Sequence, residues 1–168
     1  HTICIVGNMT NKELYRDFCH KTTHLPIFMQ DWWLDAVCAG KQWDVLLSWD
    51  EQGAIQAALP YLLRQRAWMK YIIMPQQTQI GGIWIDETLL DNEKKVAEIS
   101  LDFANQLAEM GLSYYYQHYP IGSPIVEHMR AMQFNVKERV TYRIEDLSNL
   151  DAVINGFSKN KKRQLQKA

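Results

Sequence analysis

Cysteine is scarce in this chain. Cys4, Cys19 and Cys38 are odd in number and widely spaced, and none forms a Cys-x-x-Cys pair. That set argues against a secreted disulfide framework and for a reducing cytoplasm. Long apolar runs are missing too. None reaches the roughly 20 residues that span a bilayer, and the N-terminus has no signal-peptide layout, so no transmembrane segment is expected. Net charge is nearly absent, at −1, which removes the bulk signature of a nucleic-acid binder. Glycine motifs are lacking as well. There is no Gly-x-Ser-x-Gly elbow, and the only Gly-Gly pair, Gly81-Gly82, has neither a third glycine nor a following Lys-Ser/Thr. A P-loop, a dinucleotide fingerprint and a hydrolase elbow are thereby excluded.

What is present is core-forming material. Hydrophobic residues make up 47% of the 168, with six Trp and eight Tyr, enough for one folded domain, or one domain plus a projecting segment. Ile3 to Val6 is a short strand candidate. Thr10 and Glu13 form a capping box for a helix starting at Asn11, and the stretch from Thr22 to Pro26 breaks it. Asp31 is expected to cap a second, largely buried helix running to Ala39, with Gly40 at its C′ position. A hairpin follows, with arms Trp43–Trp49 and Ala54–Leu63, and Pro60 makes the second arm locally an edge or a bulge. Met69 to Met74 is a third strand. The stripe Val96, Ile99, Phe103, Leu107 and Met110 marks a helix from about Asn92, closed by Gly111. Ser113–Tyr119 reads as a strand, Pro124–Met132 as a helix, Phe134–Ile144 as a final strand and Asn149–Gly156 as a small helix. The mixture predicts an α+β or α/β fold with one mixed sheet.

Five places could carry chemistry. His20 and His24 have the spacing of helical zinc ligands, but Thr22, Thr23 and Pro26 do not continue a helix and no third ligand follows, so no metal site is expected. Strand alternation puts Tyr114, Tyr116 and His118 on one face and Tyr115, Gln117 and Tyr119 on the other. Phenols and imidazole can move protons, although aromatic strands usually serve as core. The loop Pro75–Gly82 offers uncharged donors and acceptors between apolar strands, in Gln77, Thr78 and Gln79 beside Gly81 and Gly82. Gln30 and Trp33 could line a cleft. Finally, residues 152–168 carry five bases and no acid, leaving 13 bases against 19 acids, or −6, for the rest. Ser158 can N-cap a helix there, which puts Lys161, Lys162 and Arg163 where an anionic partner could be met.

Two stretches resemble a known family. Pro26 to Val37, with Phe28-x-Gln30 followed by Trp33-Leu34, looks like the opening of Fem-type and related GNAT-like acyltransferases. Ser158 to Ala168 is similar to their Ser-Lys-x-x-Arg-Arg-x-Ile-Arg-Lys-Ala stretch, with Lys162 and Gln166 standing where Arg is commoner. Pro75–Ile85, ending Gly-Gly-Ile-Trp-Ile, looks like a loop of uncharacterised members. The resemblance implies a GNAT-like domain over residues 1–157, a mixed and mostly antiparallel sheet flanked by helices. Residues 158–168 would then be a basic helix opening a second, absent C-terminal half. It implies transfer of an acyl or aminoacyl group to an amine, with acyl-CoA or aminoacyl-tRNA as donor to the full-length protein. One wall of the cleft would come from Gln30, Trp33 and the 77–82 loop, with Lys161, Lys162 and Arg163 on an anionic small molecule, precursor or tRNA. No catalytic residue is singled out. The Arg/Gln-x-x-Gly-x-Gly/Ala pyrophosphate signature of acetyl-CoA users is absent, which speaks against a cofactor held by this part. A non-catalytic GNAT-like scaffold, or a nucleic-acid module built on the basic helix, are the alternative readings.

Overall fold

A computed structural model describes residues 9–39, 42–139, 144 and 146–167. The strand expected at Ile3–Val6 lies outside them. The chain divides into two compact units, His1–Val136 and Lys137–Ala168.

The first unit is α+β. Helix α1 (Asn11–Lys21) starts as the sequence dictates: Thr10 Oγ1 accepts from the Glu13 N–H, and the Glu13 carboxylate accepts from the Thr10 N–H. Helix α2 (Asp31–Val37) departs from expectation at both ends. Its N-cap is Gln30, whose amide donates instead to the Leu25 carbonyl at 3.0 Å. Asp31 is the first helical residue, its carboxylate drawn to Arg16 of α1 at 3.2 Å, and an ion pair outweighs a cap bond here. The helix stops at Val37 and Ala39 takes φ +52°; Gly40 lies outside the described residues. Nor is α2 largely buried. A seven-residue helix has one inner face, so Leu34 packs inward while Trp32 is 56% exposed.

The sheet has five strands: β1 (Trp43–Trp49), β2 (Ile55–Arg66), β3 (Met69–Ile73), β4 (Trp84–Ile85) and β5 (Tyr114–Tyr115). The path is β1-β2-β3-β5, with β4 on β2. All pairs are antiparallel except β3 with β5. Helix α3 (Glu93–Glu109) makes that parallel return possible by crossing between them. Asn92 caps it, and Gly111 takes φ +63° beyond its end.

Alternation along β2 divides the core in two. Ala57, Leu59 and Tyr61 face α3 and helix α4 (Ile125–Ala131), meeting Phe103, Leu107 and Ile125. Ala58 and Leu62 face α1 and α2, meeting Tyr15, Leu34 and Trp43. Period-two burial on both faces is the mark of a central strand, yet β2 contains Pro60. The backbone shows why it is tolerated. The Leu63 N–H bonds Gln42 beside β1, whereas the Gln56 carbonyl bonds Asp86 beyond β4. Even-numbered residues of β2 thus face away from β1. On that side β4 pairs with Ala57 and Ala58, and β3 with Leu62 to Arg66. Pro60 sits in the gap between them, where no ladder donor is required.

Two expected strands are shorter or missing. After β5 only the Tyr116 N–H, to Ile72 at 2.9 Å, continues the ladder, and the His118 N–H turns to the Met74 sulfur. Residues 134–139 form no strand, because Phe134 is tied back to α4 through its N–H on the Met129 carbonyl and its ring against Tyr115. The remainder of that segment, 140–143, lies outside the described residues.

The second unit holds α5 (Leu150–Gly156), capped by Asn149, and the basic α6 (Lys159–Leu165), capped by Ser158. The Ser158 cap is the one read from the sequence. Among the described residues no helix is long and apolar enough to cross a membrane.

Candidate functional site

The two uncharged stretches singled out in the sequence meet in space. The Trp33 indole N–H of α2 donates to Thr78 Oγ1 of the 75–82 loop at 3.0 Å, across 45 residues. Thr78 is only 8% exposed, and its hydroxyl also lies 3.4 Å from the Gln76 carbonyl. Phe28 packs edge-on against Trp33, and Trp33 edge-on against Trp32, an arrangement that suits the aromatic quadrupole. Gln30 is half-buried and spends its amide on Leu25. It lines a shallow pocket of about 370 Å³ with Thr22, Ile27 and Trp32. Gln77 and Gln79 are exposed, Gln77 at φ +60°.

Gly81 and Gly82 are where the loop presses on the segment that follows β5. The Gly81 N–H donates to the His118 carbonyl at 2.8 Å. A Cβ at Gly81 would lie 2.5 Å from Gln117 Nε2, and one at Gly82 would lie 3.0 Å from Tyr119 Cδ1. Gly82 also has φ +115°, which side-chain-bearing residues rarely adopt.

Behind the glycines runs a polar chain that sequence reasoning did not assemble. The Tyr115 hydroxyl donates to Gln117 Oε1 at 2.9 Å, and Gln117 Nε2 donates to the Pro60 carbonyl at 3.3 Å. The Tyr115 and Tyr119 hydroxyls share a hydrogen bond. A phenol has one proton, and Tyr115 gives its own to Gln117, so Tyr119 is the donor to Tyr115. Polarity therefore runs Tyr119, Tyr115, Gln117, Pro60. Burial lifts both phenols well above the ordinary tyrosine range, keeping them protonated, and so donors, at neutral pH. Alternation in the sequence had put these three side chains on one face. What it lacked was any sign that the face ends on Gly81-Gly82, 36 residues upstream.

The opposite face carries the other set: Tyr114 and Tyr116 stack, and the Tyr116 hydroxyl is 2.8 Å from His118 Nε2. His118 Nδ1 lies 3.1 Å from the Gln79 carbonyl. A second pocket, of about 270 Å³, lies between His24, Met29, Trp84, Glu87 and Pro124 and takes in none of the sequence-predicted site residues. Lys161 and Arg163 are exposed on α6 of the second unit, and the Lys162 ammonium donates to the Asn155 carbonyl at 3.0 Å.

Trp33→Phe keeps the ring packing and deletes the bond to Thr78. A stability loss of about 1 kcal/mol is expected, with faster amide exchange in the 77–82 loop. Denaturant unfolding and hydrogen exchange read the two effects separately.

No family model matches the chain, and no curated protein matches it. Solved structures similar to it include the aminoglycoside antibiotic 6'-N-acetyltransferase AAC(6')-Ih from Acinetobacter baumannii, at 14% identity and TM-score 0.42, over 82% of this chain and 95% of that one. Another is a Pyrococcus furiosus protein named as a proposed acetyl transferase, at 10% identity and TM-score 0.41, over 80% and 91%. A third is the tetramutant of the BH1408 protein from Bacillus halodurans, at 12% identity and TM-score 0.37, over 79% and 86%. Likeness this distant leaves function to be read from the residues.

Proposed function

We propose that this chain is the N-terminal, GNAT-like half of a cytoplasmic N-acyltransferase of the Fem-type kind, moving an acyl or aminoacyl group to an amine and forming one wall of the cleft. The observation that carries this reading is the Trp33–Thr78 bond. It brings together two stretches that separately resemble the family, Pro26–Val37 and Pro75–Ile85. Acyl transfer to an amine asks for oriented reactants and for neutral donors near a developing oxyanion. Beside Gly81 and Gly82 the hydrogen-bonding groups are uncharged, an amide and two phenols held protonated by burial, with an indole on neighbouring Thr78, and each now donates within the protein.

Acetyl-CoA does not fit the same segment. Pro75–Gly82 contains no cation, and its Gly81 N–H is already taken. At the α3 N-terminus the Asn92 side chain takes the Lys95 N–H, and Glu93 stands in the first turn beside Lys94 and Lys95, so one of the N–H groups that a pyrophosphate wants is already engaged. No step is therefore routed through coenzyme A here.

The test is transfer by the intact protein, assayed with acyl-CoA and aminoacyl-tRNA donors against amine acceptors. Thr78→Val is expected to lower kcat/KM by roughly tenfold or more. Absence of transfer from every donor class would overturn the enzymatic reading.

One observation favours a second reading, a GNAT-like binding or scaffold domain without catalysis. Both ring nitrogens of His118 are engaged within the protein, so the imidazole nearest the loop is not poised as a base.

Lys161, Lys162 and Arg163 belong to the proposal as contacts for an anionic substrate, precursor or tRNA. Replacing all three by Ala is expected to weaken that binding and to change stability by no more than about 0.5 kcal/mol. Unaltered substrate affinity in the triple variant would remove the anion contact.

A further inference from the structure

The face of the sheet covered by α1 and α2 continues past them as an open surface. Leu62 and Ile73 are register partners and both pack on the α1/α2 side. Two residues further along each strand, the partners Arg64 and Tyr71 lie on the same face, and Tyr71 is paired in turn with Tyr114. Beyond them Arg66 stands on β2 and Tyr116 follows β5. The strip crosses three strands, about 10 Å. Residues 64–70 are all exposed, and Tyr114 is 55% exposed. Trp68, at the hairpin tip beside Ala67 (φ +52°), is 82% exposed.

Two properties of this strip point to one kind of partner. First, its charge has one sign. From Gln52 to Ile85 the chain carries Arg64, Arg66 and Lys70 and no acid, and from Met110 to Val126 it carries no acid either. None of these three cations makes an ion pair among the described residues. An apolar protein partner would bury Arg64 and Arg66 without a counter-charge, which is costly. Second, its apolar groups are flat rings held parallel. Tyr114 and Tyr116 lie 6.4 Å apart at an interplanar angle of 17°, close to twice the roughly 3.4 Å repeat of stacked nucleotides. Stacking rings beside unpaired arginines match a polymer that alternates planar bases with phosphates. A duplex hides its base faces, so the fitting form is a single strand.

We infer that this sheet face binds single-stranded nucleic acid, with bases stacking on Tyr114 and Tyr116 and phosphates meeting Arg64 and Arg66. The site lies within the first unit and does not depend on acyl transfer.

The experiment is fluorescence anisotropy of the 168-residue chain with labelled single-stranded RNA and DNA of roughly 10 nucleotides, titrated at several salt concentrations. Tyr114→Ala is expected to weaken binding by about 5- to 100-fold. Arg64→Ala with Arg66→Ala is expected to reduce the log–log salt slope by about 1.4. Equal melting temperatures establish that the variants fold, and their positions are exposed. The inference is overturned by no binding at low salt, or by unchanged binding in both sheet variants. Duplex or a mononucleotide binding as tightly as the single strand overturns it too, as does capture by anionic vesicles in place of the oligonucleotide.

Discussion

Gly82→Ala is expected to destabilise the first unit by about 3 kcal/mol, the sum of two penalties. A side chain at φ +115° is strained wherever it points, and this one meets Tyr119 Cδ1 at 3.0 Å and Pro120 Cδ at 3.3 Å. If Tyr119 retreats, its hydroxyl leaves Tyr115 and the buried donor chain is broken at its head. Gly81→Ala is the internal comparison. Its clash, at 2.5 Å, is nominally worse, but the atom in the way is the amide end of Gln117. That end can swing aside, at the loss of its 3.3 Å bond to Pro60 and of the Tyr115 bond to Gln117 Oε1, so about 2 kcal/mol is expected. Denaturant melts of the two variants check the order. A larger loss at Gly81 would mean that the amide network, not the backbone at Gly82, holds the loop.

Arg16→Ala is expected to cost about 2–3 kcal/mol, less than breaking a fully buried pair costs, because a third of the Arg16 side chain is in solvent. Arg16 grips Asp35 with two bonds, at 2.6 and 2.7 Å, and reaches Asp31 at 3.2 Å, so one side chain clasps α1 to both ends of α2. Its loss strands Asp31, only 7% exposed, with His20 at 3.7 Å as its remaining ion-pair partner among the described residues. Lysine should not rescue it, since an ammonium cannot make the fork. The same clasp sets a pH dependence. Hydrogen bonding from Arg16, and less so from the Trp43 indole, holds the Asp35 carboxyl below its ordinary 3.8. A depressed native pKa gives stability that is complete above the ordinary value and is lost as pH falls through the native one. Acid unfolding of the parent should therefore steepen below about pH 4, and the Arg16→Ala variant should show a shallower dependence there.

Local chemistry was legible in the sequence wherever the deciding partner lay within a few residues. The Thr10–Glu13 box, the Ser158 cap, the α3 stripe and the two faces of Ser113–Tyr119 all rest on such neighbours. Errors came where a distant partner decided. Asp31 reads as an N-cap until Arg16, fifteen residues earlier, claims its carboxylate. Phe134 reads as the start of a strand until Met129 and Tyr115 hold it to the α3/α4 side. The candidate site follows the same division. Gln77, Thr78, Gln79, Gly81 and Gly82 were found by their own polarity and flexibility, and Trp33 by its place beside Gln30 and by resemblance. The Tyr115–Gln117–Pro60 chain was not, because no periodicity ties residue 60 to residue 117.

Pro60 has a further consequence, for association between molecules. An interrupted ladder in the middle of a sheet would normally leave an N–H and a carbonyl open to an intruding strand from another chain. Here the proline supplies no N–H, and Gln117 occupies the carbonyl. The interruption therefore offers a foreign strand neither donor nor acceptor, so the sheet keeps a break in its pairing without creating a seed for edge-to-edge aggregation.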